Sequence, residues 1–193
     1  MYRPLAKKPF QSSFLSIEKD VESILHKLFI ESRPYSDMLR SLLVINSKDC
    51  LDNMANPVYA KTIKEANVKW LVDNGYIYTK PRIEINEFDE KKSFIAITCD
   101  DFVKNKENPE FRDCMVSISC ISHIDLWDLG DYRLRPVKIM GFIDGILDGS
   151  RLSGIGTFQF YSADMIHLNQ EFSGYTIMYK AIHGSDDEIP REE

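Results

Sequence analysis

The sequence predicts an α+β fold, with a mixed, mostly antiparallel sheet, helices packed on one of its faces, and an extended N-terminal arm. Two observations lead there. Apolar residues recur with the 3.6-residue period of a helix as far as Asp73, and with the two-residue period of a strand from about Arg82 onward. A helix after Pro136 is the one interruption of the second regime. At 193 residues, 44% hydrophobic and 28% charged, the chain has length and apolar content for one well-buried core. The expected organisation is an extended arm over 1–14, a single α+β domain over 15–184 and an acidic tail over 185–193.

Residues 1–14 contain Pro4 and Pro9 and no helical period, hence the arm. Ser16 then offers an N-cap, with Glu18 and Asp20 in the first turn where the helix dipole favours acids. Ile17, Val21, Ile24, Leu25, Leu28 and Phe29 make one apolar stripe, and Arg33-Pro34 ends it because a residue before proline is pushed out of the α region. A short helix over 36–44 turns Leu39, Leu42 and Leu43 inward. A polar loop over 46–56 leads to a third helix over 59–73, bearing Ile63, Ala66, Trp70 and Leu71, with Asn74-Gly75 as its C-cap.

Strands are expected at 82–87 and 93–99, paired antiparallel around a turn at 88–92, followed by a charged loop over 100–112. In 114–122 the alternation places Cys114, Val116, Ile118 and Cys120 on one face, with Ser117, Ser119 and His123 on the other. The stretch 123–135 is polar and irregular. Pro136 suits the first turn of a helix, where its missing N–H costs nothing. That helix, to about Leu147, is apolar nearly all round and is expected to be deeply packed. Strands at 155–161 and 175–182 complete the sheet.

The chemistry-bearing residues form no recognisable catalytic set. Cys50, Cys99, Cys114 and Cys120 have no CxxC spacing and are expected as free, packed thiols of a reducing compartment. His26, His123, His167 and His183 are scattered, and Asp125, Asp128 and Asp131 lack the glycine and closing glutamate of a calcium loop. Gly149, Gly154 and Gly156 lead into a strand without a Gly-Lys-Ser/Thr, unlike a phosphate loop. No Gly-x-Ser-x-Gly marks a serine nucleophile. The nearest approach to an enzyme is Glu90-Lys91-Lys92 with Glu84 upstream, the acid and Glu-x-Lys pattern of a divalent-metal nuclease, here set in an expected turn. The expectation is no enzyme, no cofactor and no metal. A net charge of −6 also disfavours nucleic acid as a tightly held partner. The N-terminus lacks the apolar core of a signal peptide, and no run approaches a membrane span, so a soluble intracellular product is expected.

What remains is surface. Residues 1–17 hold Arg3, Lys7 and Lys8 and no acid, while 185–193 hold Asp186, Asp187, Glu188, Glu192 and Glu193 against Arg191. These are either solvated ends, or a basic strap with Tyr2, Phe10 and Phe14 as anchors that lies on a neighbouring subunit. Asp125, Trp127, Asp128, Asp131, Tyr132 and Arg133 are, in the same way, either local packing or an aromatic-and-arginine contact surface.

Asn108-Pro-Glu-Phe-Arg-Asp113, His123-Ile-Asp-Leu-Trp-Asp128, Leu134-Arg-Pro136, Leu152-Ser-Gly-Ile-Gly156, Gly174-Tyr-Thr-Ile-Met-Tyr179 and Ile182-His-Gly184, in that order, resemble the neck proteins of tailed bacteriophages, the tail-terminator or head–tail joining family. The resemblance spans roughly the C-terminal half. It implies a sheet flanked by helices and a homo-oligomeric ring, commonly a hexamer, at the head–tail junction of a virion, assembled in the host cytoplasm. It further implies as partners the tail tube protein and the head connector or completion protein, with DNA passing through the lumen without specific binding and no membrane involved. The tail terminator is the foremost expectation and a head-completion or adaptor protein the alternative; the nuclease reading through Glu84, Glu90 and Lys92 is the competitor of another class.

Overall fold

A computed structural model describes residues 17–79, 91–106, 112–152 and 155–183. The first apolar stripe forms α1 (Ile17–His26), and its last turn widens into a π-helical turn, Lys27–Glu31, that keeps Leu28 and Phe29 fully buried. A π turn leaves backbone carbonyls without their usual partners. Arg40 of α2 (Tyr35–Val44) takes that of Phe29, sits 5.9 Å from the Phe29 ring centre and pairs with Asp37 at 2.8 Å. The Arg33–Pro34 peptide between the two helices is cis.

The helix expected over 59–73 is two helices, α3 (Pro57–Glu65) and α4 (Val68–Asp73). Asn67 explains the break. Its side chain accepts the N–H of Trp70 at 3.0 Å, and a residue that caps a new helix cannot continue the old one. Asn56 and Pro57 start α3 in the same way, the Asn56 side chain accepting the Val58 N–H at 2.9 Å. Gly75 closes α4 with φ +68°, a conformation natural to glycine.

The sheet has the order β1-β2-β3-β7-β6. β1 (Ile77–Tyr78) runs parallel to β2 (Ser93–Lys104), and every other pair is antiparallel. One expectation falls outside the described residues and another is corrected. The antiparallel partner of the strand starting at Ser93 is β3 (Arg112–His123), and the segment expected as its partner, 82–87, lies outside the described residues. Also, Asp100–Lys104 of the expected charged loop continue β2. A bulge between Asp100 and Val103, with Asp101 at φ 51°, absorbs the two aspartates, and pairing to β3 outweighs their poor strand propensity.

β7 (Phe172–His183) is longer than expected at 175–182, whereas the strand expected at 155–161 is shifted: β6 (Gln159–His167) starts only at Gln159 and runs six residues further, because ladder pairing with β7 holds it past its alternating stretch. A small hairpin of β4 (Arg151–Leu152) and β5 (Gly156–Thr157) precedes them. Near the start of β7, Gly174 lies opposite Ile121, and a Cβ there would sit 1.9 Å from the Cys120 carbonyl oxygen. The close packing of β7 on β3 therefore demands glycine.

Cys114, Val116, Ile118 and Cys120 of β3 and Ile177, Tyr179 and Ala181 of β7 face the helices and join Ile24, Leu28, Leu42 and Ile143 in one core. Among the described residues the opposite face has a small buried group, Phe94, Ile121 and Phe172. The helix after Pro136, α5 (Arg135–Leu147), departs from its expected deep burial on all sides. Ile139, Ile143, Ile146 and Leu147 are buried, but Val137, Lys138, Gly141 and Gly145 are exposed, because α5 lies as an outer layer on β3 and β7. Among the described residues no helix is long and apolar enough to cross a membrane.

Candidate docking surface

The polar stretch after β3 is a built loop. His123 ends the strand, its ring edge-on to Phe172 at 5.2 Å and its Nδ1 accepting the Asp125 N–H at 3.1 Å. A single 3₁₀ turn, Ile124–Leu126, follows. The Trp127 indole N–H donates to the Ser122 carbonyl at 3.2 Å, and its ring lies tilted against Tyr175. Asp128 accepts the Gly130 N–H at 2.8 Å, pairs with Lys48, and is bridged by backbone to Leu134. Asp125 pairs with Lys91 at 2.6 Å. Arg133 grips both oxygens of Asp52, at 2.9 and 2.6 Å, and also donates to the carbonyls of Gly130 and Leu129.

These contacts set the electrostatics. Hydrogen bonds from Lys91, Lys48 and Arg133 hold the carboxyls of Asp125, Asp128 and Asp52 below their ordinary range, and Asp52 raises Arg133 in return. Of the loop residues expected to make contacts, Asp125, Trp127, Asp128 and Arg133 are thus engaged within their own chain. Asp131, paired only at 3.8 Å with Arg133, and Tyr132 are the ones presented outward. The Tyr132 residue is wholly exposed and the Asp131 side chain 93% exposed. Three successive residues, Gly130, Asp131 and Tyr132, have positive φ (78°, 50° and 62°). A bulky residue rarely adopts that conformation, and here a braced loop base holds a fully exposed aromatic in it.

The brace has a residue that sequence reasoning missed. Arg135 is 1% exposed and donates to four backbone carbonyls: Leu126 at 2.9 Å, Leu42 at 2.7 Å, Ile45 at 2.8 Å and Ser47 at 2.7 Å. It ties the loop to the carbonyl end of α2, where a cation is favoured by the helix dipole. Burial lowers its pKa from the usual arginine value. A signal was present, since an arginine in the first turn of α5 opposes that helix's own dipole and needs another reason to be there.

The remaining candidates separate. Tyr2, Arg3, Lys7, Lys8, Phe10 and Phe14, and the tail over 185–193, lie outside the described residues. So do Glu84 and Glu90 of the nuclease pattern. Lys92 is buried beside Tyr78, its Nζ 3.5 Å from the phenol oxygen. Among the described residues no three of His, Cys, Asp or Glu come together to hold a metal. The four cysteines are free; burial pushes Cys99 up to about 11 and raises Cys50 and Cys120 as well.

The YomW family model matches residues 36–181, which takes in α2 through β7 and the whole braced loop. The chain belongs to the YomW family. No curated protein matches it significantly. Among solved structures, a chain from the virion of a native gene transfer agent particle is 12% identical with a TM-score of 0.40, covering 62% of this chain and 87% of its own. A crystal structure from Akkermansia muciniphila is 11% identical with a TM-score of 0.30, covering 91% and 98%. Both scores fall below the level at which a shared fold is argued, so YomW membership rests on the family match alone.

Proposed function

We propose that this YomW-family chain is a structural protein of a phage-type virion, a ring subunit at the head–tail junction that acts by shape and turns over no substrate. The tail terminator, meeting tail tube protein on one side and head connector on the other, is the role that fits best. One observation carries the reading: several residues of the phage-neck resemblance are spent on architecture. Trp127 and Asp128 brace the loop, Arg135 clamps it to α2, and Gly174 allows β7 to close on β3. Together they stiffen a loop whose tip offers an aromatic ring and a carboxylate to solvent, which suits docking because little freedom is left to lose. A ring of identical subunits needs one surface to meet a different one on the next copy. A prominent tip on one end of the sheet meets that requirement.

Mass spectrometry of purified mature particles, followed by localisation in a particle map, tests the proposal. The chain is expected at the neck in a small fixed number of copies. Particles that assemble without it, or turnover of DNA by the purified chain with magnesium, overturn the reading.

A further inference from the structure

β6 is an edge strand that the fold leaves bare. It pairs with β7 on one side. On the other, its entrance is occupied: Phe158 exchanges backbone bonds with Gly149 and Ser150, and the Phe160 N–H donates to Asp148. Beyond that point, over 161–167, nothing among the described residues pairs with the open edge. Both faces are open too, and Phe160, Tyr161 and Met165 stand 51%, 55% and 51% exposed. The strand has no lysine or proline to blunt it, and Asp164 is its single acid. Such an edge invites an added strand.

We propose that β6 receives residues 10–16 of a neighbouring copy as an added strand, a contact that rests on the ring reading above. Residues 10–16 (Phe-Gln-Ser-Ser-Phe-Leu-Ser) are free of proline, match the open run 161–167 in length, and supply Phe10 and Phe14, which share one face of an extended strand, to cover Phe160 and Met165, which share one face of β6. Arg3, Lys7 and Lys8 just upstream suit an edge whose own charge is Asp164. The geometry selects a neighbour over the same chain. Residue 16 adjoins Ile17, the start of α1, and Asp20 of α1 lies near enough to Cys99 on β2 to raise its pKa. The π turn that follows α1 is what reaches α5 over β3 and β7. Ile17 therefore stands on the β2 side, three strand spacings, or about 14 Å, from β6. A run that begins next to Ile17 cannot lie along its own β6, whereas a copy set head-to-tail brings its β2 side against this edge.

The test uses the full-length chain with Phe14→benzoylphenylalanine, irradiated at low and high protein concentration. Crosslinks between chains that map to β6, rising with concentration, are expected. In a second variant combining Asp164→Lys and Met165→Lys, with the fold checked by circular dichroism, their yield should fall roughly tenfold, the effect of about 1.4 kcal/mol of lost contact. Crosslinks within one chain, crosslinks to another strand, no crosslinks, or a yield unmoved by the β6 substitutions each overturn the proposal. Particles that contain the chain while its crosslinks miss β6 remove this contact and leave the ring reading standing. Particles that lack the chain remove the ring reading.

Discussion

Replacing Arg135 with methionine tests the brace most directly. The substitution keeps an unbranched, though shorter, apolar stem and withdraws the donors from Leu42, Ile45, Ser47 and Leu126, whose carbonyls stay buried or partly buried. A hydrogen bond from a charged donor contributes about 1.5–3 kcal/mol, but four bonds from one group do not add, and losing the charge also removes its own desolvation cost. The partners are backbone carbonyls and cannot be replaced along with the arginine, so the relief seen when a whole ion pair becomes apolar is missing. The expected loss is about 3–5 kcal/mol for Arg135→Met and roughly 2 kcal/mol for Arg135→Lys, which keeps the charge with fewer donors. Urea unfolding followed by circular dichroism measures it as a lower midpoint at constant m. A loss below about 1 kcal/mol for Arg135→Met would refute the clamp, since relaxed carbonyls or water would then serve equally well.

Gly174→Ala should destabilise by roughly 3 kcal/mol, because the Cys120 carbonyl occupies the place of the new methyl and β3 must move; a chain melting as the wild type does would contradict that contact. Tyr132→Gly should leave the monomer as stable or up to about 1 kcal/mol more stable by relieving the positive φ, while lowering incorporation into particles; unchanged incorporation would dismiss the tip as a contact. The Cys99 thiol, raised by burial from 9.0 to about 11, favours the folded state fully below pH 9, and that contribution fades as pH climbs from 9 to 11. Alkylation of native Cys99 should accordingly be slow at pH 9 and quicken toward pH 11, and a rate at pH 8 equal to that of a free model thiol would count against the burial.

The sequence by itself determined the α+β class, the α1 stripe and the facing of β3, because periodicity is a local property that burial on one side imposes directly. It also singled out the 123–135 stretch. Tertiary structure decided the pairing of β2 with β3, the passage of β2 through Asp100 and Asp101, and the length of β6, since a ladder partner distant in sequence can hold residues in a strand against their propensity. It decided also which loop residues face outward: composition marked Asp125, Trp127, Asp128, Asp131, Tyr132 and Arg133 alike. Lys48, Asp52 and Lys91, far away in the chain, engage three of them and help leave Tyr132 at the tip. The Arg135 clamp was out of reach for the same reason, as three of its four acceptors lie about ninety residues upstream.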